Sequence, residues 1–183
     1  MKKVCVFLAD GFEEIEGLTV VDILRRAGLE AVTASVKDEI SVTGSHNITV
    51  LADKTAAEVD FDGIDMLVLP GGMPGTKNLA ASELVKEKIL EFHQQGKWLA
   101  AICAAPSVFG DMGLLNEERA ACYPGFEEHL KGAEVTEEKV VVSGHFITSR
   151  GMGTAILFAL QIVEQLLDKE KADRIKASII YGH

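Results

Sequence analysis

The stretch Leu99–Gly110, LAAICAAPSVFG, sets one cysteine among small residues where an apolar run stops and a proline follows. Ala101, Cys103 and Ala105 form a small-x-Cys-x-small spacing at a strand-to-helix junction. This is the pattern of a nucleophile elbow with cysteine in place of serine. Small neighbours two residues away on either side are needed because the backbone doubles back tightly around the nucleophile. Pro106 suits a first helical turn, where its missing N–H costs nothing. A thiol placed there faces the free amides and positive dipole end of the following helix, so the spacing predicts a lowered Cys103 pKa and a thiolate. The competing reading is a buried core cysteine, since free cysteines are commonly buried.

Two more stretches carry groups that such a thiol would need. Pro70, Gly71 and Gly72 put amide donors on a backbone that ligand atoms can approach closely. With the amide of Ala104, the Gly72 N–H would form an oxyanion hole; alone, the stretch reads equally as a tight turn. The stretch ADGFEEIEG supplies Glu13, Glu14 and Glu16. Acids in the first turn of a helix are favoured by its dipole, which is explanation enough for any one of them. Glu16 heads the apolar row Val20, Ile23, Ala27, whereas Ile15 heads the polar row Thr19, Asp22, Arg26. Glu13 heads a second apolar row, Gly17, Val20, Leu24, so spacing does not choose between Glu13 and Glu16. A carboxyl tucked under the helix would be desolvated, its pKa raised, and able to give a proton to a thiolate or a bound carbonyl compound.

His46, His93, His129, His145 and His183 are candidate bases for a Cys–His pair, with His46 in a hairpin turn and His145 near another loop. For most of them a surface role is the simpler reading. RGMGTAI from Arg150 is a weak match to a dinucleotide loop: Ile156 stands where the third glycine belongs, and no further strand with a ribose-binding acid follows. Cys5, mid-strand among apolar residues, reads as packing. Cys122, before Tyr123-Pro124, is expected to be partly exposed.

The elements that must position these residues follow from periodicity. Short β-rich runs (KVCVFLA, EAVTASV, DMLVLP, KWLAAIC) alternate with helical patterns at residues 13–27 and 82–95. Such alternation predicts a parallel sheet with helices on both faces. ISVTGSHNITVLA, with turn residues Gly44 to Asn47, predicts an inserted β-hairpin, and a second turns at Ser143-Gly144. Residues 152–167 form a buried amphipathic helix pattern, and another helix is expected from Glu170. In open α/β sheets the ligand lies beyond the carboxyl ends of the strands, which is where all three stretches fall.

A chain of 183 residues suffices for one well-buried domain, here 1–183. A net charge of −10 without a Lys/Arg cluster argues against nucleic acid. No apolar stretch reaches the roughly twenty residues of a membrane span. The apolar run after Lys2-Lys3 is brief and ends at Asp10, so it reads as a first strand rather than a signal peptide. Three cysteines, with no CxxC and no His/Cys cluster at metal-ligand spacing, argue against a disulfide framework or a zinc site and fit a reducing cytoplasm.

With ADGFEEIEG, VLPGG, AAICAAPSVF and ITSRGMGTAI all in order, the chain resembles the ThiJ/PfpI superfamily, in its DJ-one branch, from Lys3 to the C-terminal helix. The resemblance implies a flavodoxin-like three-layer α/β/α sandwich, a homodimer, and a nucleophilic, oxidation-prone cysteine. It places that cysteine at Cys103, its acidic partner at Glu16, and the oxyanion donors at Gly72 and Ala104. Gly71, Tyr123 and His46 are further pocket candidates. Arg25 and Arg26, in RRAG, match a helix near the dimer contact of relatives, so that either could approach the partner's site. Many animal members have histidine at the Tyr123 position, and the protease-like branch has one directly after the cysteine, where this chain has Ala104; this argues against peptidase activity. The implied function is cofactor-free, metal-free conversion of methylglyoxal or glyoxal to lactate or glycolate, or deglycation of proteins. The alternative is a redox sensor or chaperone whose cysteine oxidises to sulfinate.

Overall fold

The computed structural model describes residues 1–182. Its frame is a seven-stranded sheet in the order β10-β11-β7-β6-β1-β2-β5. These strands are Val140–Ser143 (β10), Phe146–Ser149 (β11), Trp98–Ile102 (β7), Met66–Leu69 (β6), Lys3–Leu8 (β1), Glu30–Ser35 (β2) and Lys54–Thr55 (β5). Every pairing is parallel except that of edge strand β10 with β11. The expected doubly wound, mostly parallel sheet is therefore present, with the Ser143-Gly144 turn joining β10 to β11.

The central strands are apolar on both faces because both are covered. Alternate residues face opposite ways. Val4, Val6, Met66, Val68, Ala100, Ile102 and Ile147 pack in one core with helices α1 (Glu14–Arg26), α5 (Ala155–Leu166) and α6 (Lys169–Ser178). Phe7, Leu67, Leu69, Leu99, Ala101 and Phe146 pack in the other with α3 (Glu83–Gln94) and α4 (Pro106–Asp111). The helix expected at 152–167 begins at Ala155, because Met152–Thr154 form a tight 3₁₀ turn after the strand. A short helix, α2 (Gly75–Ala81), and the small β8–β9 pair (Arg119–Ala120 with Glu134–Val135) carry too few periodic residues to be predicted. Among the described residues no helix is long and apolar enough to cross a membrane.

The inserted hairpin, β3 (Ser41–Thr43) and β4 (Thr49–Leu51), forms its own two-stranded sheet. Buried Glu14 holds it against the start of α1. Its carboxylate accepts from the His46 amide (2.7 Å) and from His46 Nδ1 (3.0 Å). A Cβ on Gly44 would meet the Glu14 carboxyl at 2.2 Å and push it off its bonds to His46. The loop before α1 is stitched to the same hairpin by Gly11 N–H to Thr43 O and Ser45 N–H to Phe12 O, both 2.8 Å.

These bonds hold the Glu14 pKa down to about 2 from an ordinary 4.5, the His46 and backbone donors outweighing the desolvation that acts the other way. A depressed carboxyl stabilises the fold above its unfolded pKa and ceases to do so as pH falls through its folded value. Glu14→Gln is therefore expected to lower unfolding free energy by roughly 1–3 kcal/mol at neutral pH. The difference from wild type should shrink below about pH 4, as measured by urea unfolding followed by circular dichroism.

Candidate active site

Cys103 follows the last residue of β7 with φ at +66°. A non-glycine residue in that left-handed region costs about 1–2 kcal/mol, so neighbouring contacts must hold it there. Its amide donates to Ser149 O at the end of β11 (3.0 Å), and its carbonyl accepts from the Tyr123 amide (2.8 Å). Ala104 and Ala105 are buried, and Ser107 Oγ donates to Ala104 O at 2.6 Å as the chain turns into α4. The small-x-Cys-x-small spacing thus marks a true elbow, with the cysteine half-buried at its tip. The amides of Ala104 and Gly72, the proposed oxyanion donors, both face the Cys103 sulfur and favour its thiolate.

Glu16, 1 % exposed, reaches the same sulfur from the first turn of α1. Oε2 accepts the Gly71 amide at 2.9 Å, while Oε1 is buried without a hydrogen-bond partner. Gly71 and Gly72 need their bareness. A Cβ on Gly71 would sit 2.6 Å from Cys103 Cβ and 2.7 Å from Glu16 Oε2; one on Gly72, whose φ is +90°, would meet the Glu13 amide at 2.3 Å. Burial pushes the Glu16 carboxyl up to about 7, with Glu13's charge adding and the bonds from Cys103 and Gly71 opposing. Burial, reinforced by the charge and hydrogen bond of Glu16, pushes the Cys103 thiol up to about 12 against the two amides. This corrects the expectation of a lowered pKa: α4 is only six residues long, and burial beside a carboxylate outweighs its dipole.

Residues 2–165 match the DJ-1/PfpI family. The chain belongs to the DJ-1/PfpI family. It is 37% identical to the Protein DJ-1 homolog B of Arabidopsis thaliana over 98% of its length. It spans only 41% of that protein, and 46% of the Arabidopsis DJ-1 homolog A. It is 31% identical to the Schizosaccharomyces pombe protein named glutathione-independent glyoxalase DJ-1, over 98% of both chains. Among solved structures, oxidized Toxoplasma gondii DJ-1 superposes with a TM-score of 0.96 at 40% identity, each chain fully covered.

In this DJ-1/PfpI chain the other predicted residues divide. Tyr123 does lie at the site: its amide braces the elbow, and its half-exposed ring lines a cavity of about 520 Å³ with Arg150 and Met152. His46 does not bond to Cys103; its Nδ1 faces Glu14 and, at 3.5 Å, Glu13. Glu13, Glu14 and His46 are the one His/Cys/Asp/Glu group among the described residues compact enough to share an ion, within 4.8 Å, and their atoms are already engaged in holding the hairpin. His93 and His145 bond one another at 2.9 Å, and His129 bonds Asp111. His183 lies outside the described residues. Arg25 is tied to Asp53 and Ala31 O, and Arg26 to Asp22 on its own helix, so within one chain neither bonds to Cys103 or Glu16. Cys5 is buried in β1 as expected; Cys122, expected partly exposed, is only 3 % exposed because its segment packs beneath the elbow.

Sequence reasoning missed the role of Glu14, whose partners lie on the distant hairpin, and the end of β11, where Ser149 O holds the elbow. The signal for the latter was present: Arg150 follows an apolar strand just as the other three loops do.

A raised folded-state pKa means that Glu16 stabilises the fold fully below about 4.5 and that this contribution is lost as pH rises through about 7. A ¹³C-carboxyl NMR titration should place the Glu16 midpoint near 7. In Cys103→Ala the midpoint should move higher, because the thiol hydrogen bond that favours the carboxylate is gone.

Proposed function

We propose that the protein is a cofactor-free, cysteine-dependent enzyme acting on 2-oxoaldehydes such as methylglyoxal and glyoxal, of the glyoxalase or protein-deglycase type. The observation that carries this reading is Glu16 and two backbone amides converging on the Cys103 sulfur at an elbow. The name of the fission-yeast relative supports it.

As the sulfur bonds to the aldehyde carbon, the thiol proton passes to Glu16. The new oxyanion sits between the Gly72 and Ala104 amides and takes that proton, giving a hemithioacetal. Glu16 carboxylate then removes the hydrogen on the former aldehyde carbon as a proton, forming an enediolate; the hydroxyl proton shifts from the first oxygen to the second, and Glu16 returns its proton to the neighbouring carbon. The product is a 2-hydroxyacyl thioester. Water hydrolyses it, freeing Cys103. The sum is methylglyoxal plus water to lactate, with no oxidant or reductant.

A second reading, oxidation of Cys103 to sulfinate by two equivalents of peroxide with loss of two waters, is favoured by the Toxoplasma relative, whose structure is of an oxidized form. We further propose that a second copy of the chain covers exposed Ile15, Leu18, Ile48 and Leu51 on α1 and its hairpin, and that the free thiols work in a reducing cytoplasm.

Lactate production from methylglyoxal tests the enzyme reading. Wild type should form it, Cys103→Ala should give only background, and Glu16→Gln should lose about 10²–10⁴-fold in kcat. Undiminished turnover in either variant would refute the assigned roles, and a gain of two oxygens after mild peroxide without any lactate would favour the sensor.

A further inference from the structure

The backbone of Arg150 lies next to that of Cys103. Ser149 pairs with Ile102 across the parallel β11–β7 ladder, so Arg150 and Cys103 are the next residues on adjacent strands, both at carboxyl ends. Neighbouring strands lie about 4.8 Å apart. On its other side β11 pairs antiparallel with β10, Val140 opposite Ser149, which places Lys139 opposite Arg150. The Ser149 hydroxyl donates to Lys139 O at 2.6 Å and holds that juxtaposition. Both side chains line the cavity of about 520 Å³ that Tyr123 and Met152 wall.

Two cations directly opposite each other repel, and pairs of this kind destabilise a sheet unless an anion answers them. In this chain carboxylates are plentiful, 28 against 18 lysines and arginines. Arg25, Arg26, Arg119 and Arg174 each pair with one. Among the described residues Arg150 is the one arginine with no carboxylate within 4 Å, and Lys139 has none either. Glu137 lines the same cavity without bridging to either cation, leaving one net positive charge there. A guanidinium presents a planar fork suited to a carboxylate or phosphate, and Tyr123 and Met152, each about half exposed, offer apolar surface for a short carbon linker.

Resting on the oxoaldehyde reading above, we propose that Arg150, helped by Lys139, forms an anion subsite that selects 2-oxoaldehydes carrying a carboxylate or phosphate on the far side of the reacting carbonyls. The reacting aldehyde sits at Cys103 and its anionic end at the fork. Neutral methylglyoxal fills only the first part of the site.

The test compares methylglyoxal with 4,5-dioxopentanoate, a 2-oxoaldehyde ending in a carboxylate, which the same chemistry converts to 2-hydroxyglutarate. Wild type should favour the acidic substrate in kcat/KM by about tenfold or more, the order of one charge-assisted contact. The preference should collapse toward one in Arg150→Gln, mainly through KM, be partly kept in Arg150→Lys, and weaken in Lys139→Gln. Added inorganic phosphate should inhibit wild type more than Arg150→Gln if the fork also accepts phosphate; inhibition by succinate alone would restrict it to carboxylates. A preference that survives Arg150→Gln, or none in wild type, overturns the proposal. A second arm needs no turnover. Iodoacetate and iodoacetamide alkylate Cys103 alike, sulfur displacing iodide, and differ in charge. The ratio of their rates, read by intact mass, should fall in Arg150→Gln. If neither oxoaldehyde reacts but this ratio falls, the anion subsite stands and the oxoaldehyde reading fails; an unchanged ratio sinks the subsite.

Discussion

Two acids that cannot both ionise stand at the centre of this molecule. Cys103 and Glu16 share a buried space in which a second negative charge has little water to solvate it; burial raises both pKa values, and the charge of Glu16 raises that of Cys103 further. Near neutral pH the pair therefore holds one proton or two, never none. The local structure serves this arrangement. Gly71 and Gly72 give up side chains so that carboxyl and sulfur can meet. The elbow accepts a left-handed cysteine, kept in place from both sides by Ser149 O and the Tyr123 amide.

The sheet supplies the rest. In the order β11-β7-β6-β1, four neighbouring parallel strands end side by side, and each contributes one part of the site. Arg150 follows β11, Cys103 follows β7, the Pro70-Gly71-Gly72 turn follows β6, and the loop after β1 starts α1 and delivers Glu16. The hairpin inserted after β2 lies outside that row, yet it is tied through Glu14 to the same first turn of α1 that carries Glu16. A stable α/β frame with variable ends is what allows such a site to form without distorting the core.

This also explains what could be read from the chain alone. The strands, the main helices, both hairpins and the elbow are local patterns, and local patterns survive in sequence. Glu13 and Glu16 both head apolar rows, and both are in fact shielded from water, so periodicity was accurate without being decisive; only contact with a sulfur far along the chain separates them. Burial of Glu14 is invisible because it depends on partners more than thirty residues away. The direction of the Cys103 shift is hidden for the same reason: the helix dipole is written next to the cysteine, whereas the burial that overrides it, and the Glu16 carboxylate that adds to it, are not. The burial of Cys122 likewise depends on packing beneath the elbow, which a neighbouring Tyr-Pro does not signal.

A thiol pushed up to about 12 looks unfit to be a nucleophile, but part of that rise, beyond what burial causes, comes from the charge on Glu16. When Glu16 keeps the proton, its repulsion disappears, its carboxyl can donate to sulfur, and the amides of Gly72 and Ala104 favour the thiolate. Sulfur and acid are then activated by the same proton movement: the state that makes a nucleophile is also the state that makes a proton donor. Attack on a carbonyl consumes both and leaves a carboxylate, which is the base needed to take a proton from carbon in the next step. Glutamine could hold the Gly71 amide but carry no proton, and aspartate, shorter by a methylene, would not span from the first turn of α1 to both Gly71 and the sulfur. The buried, almost unpartnered Oε1 is thus the feature that gives a single carboxyl both roles.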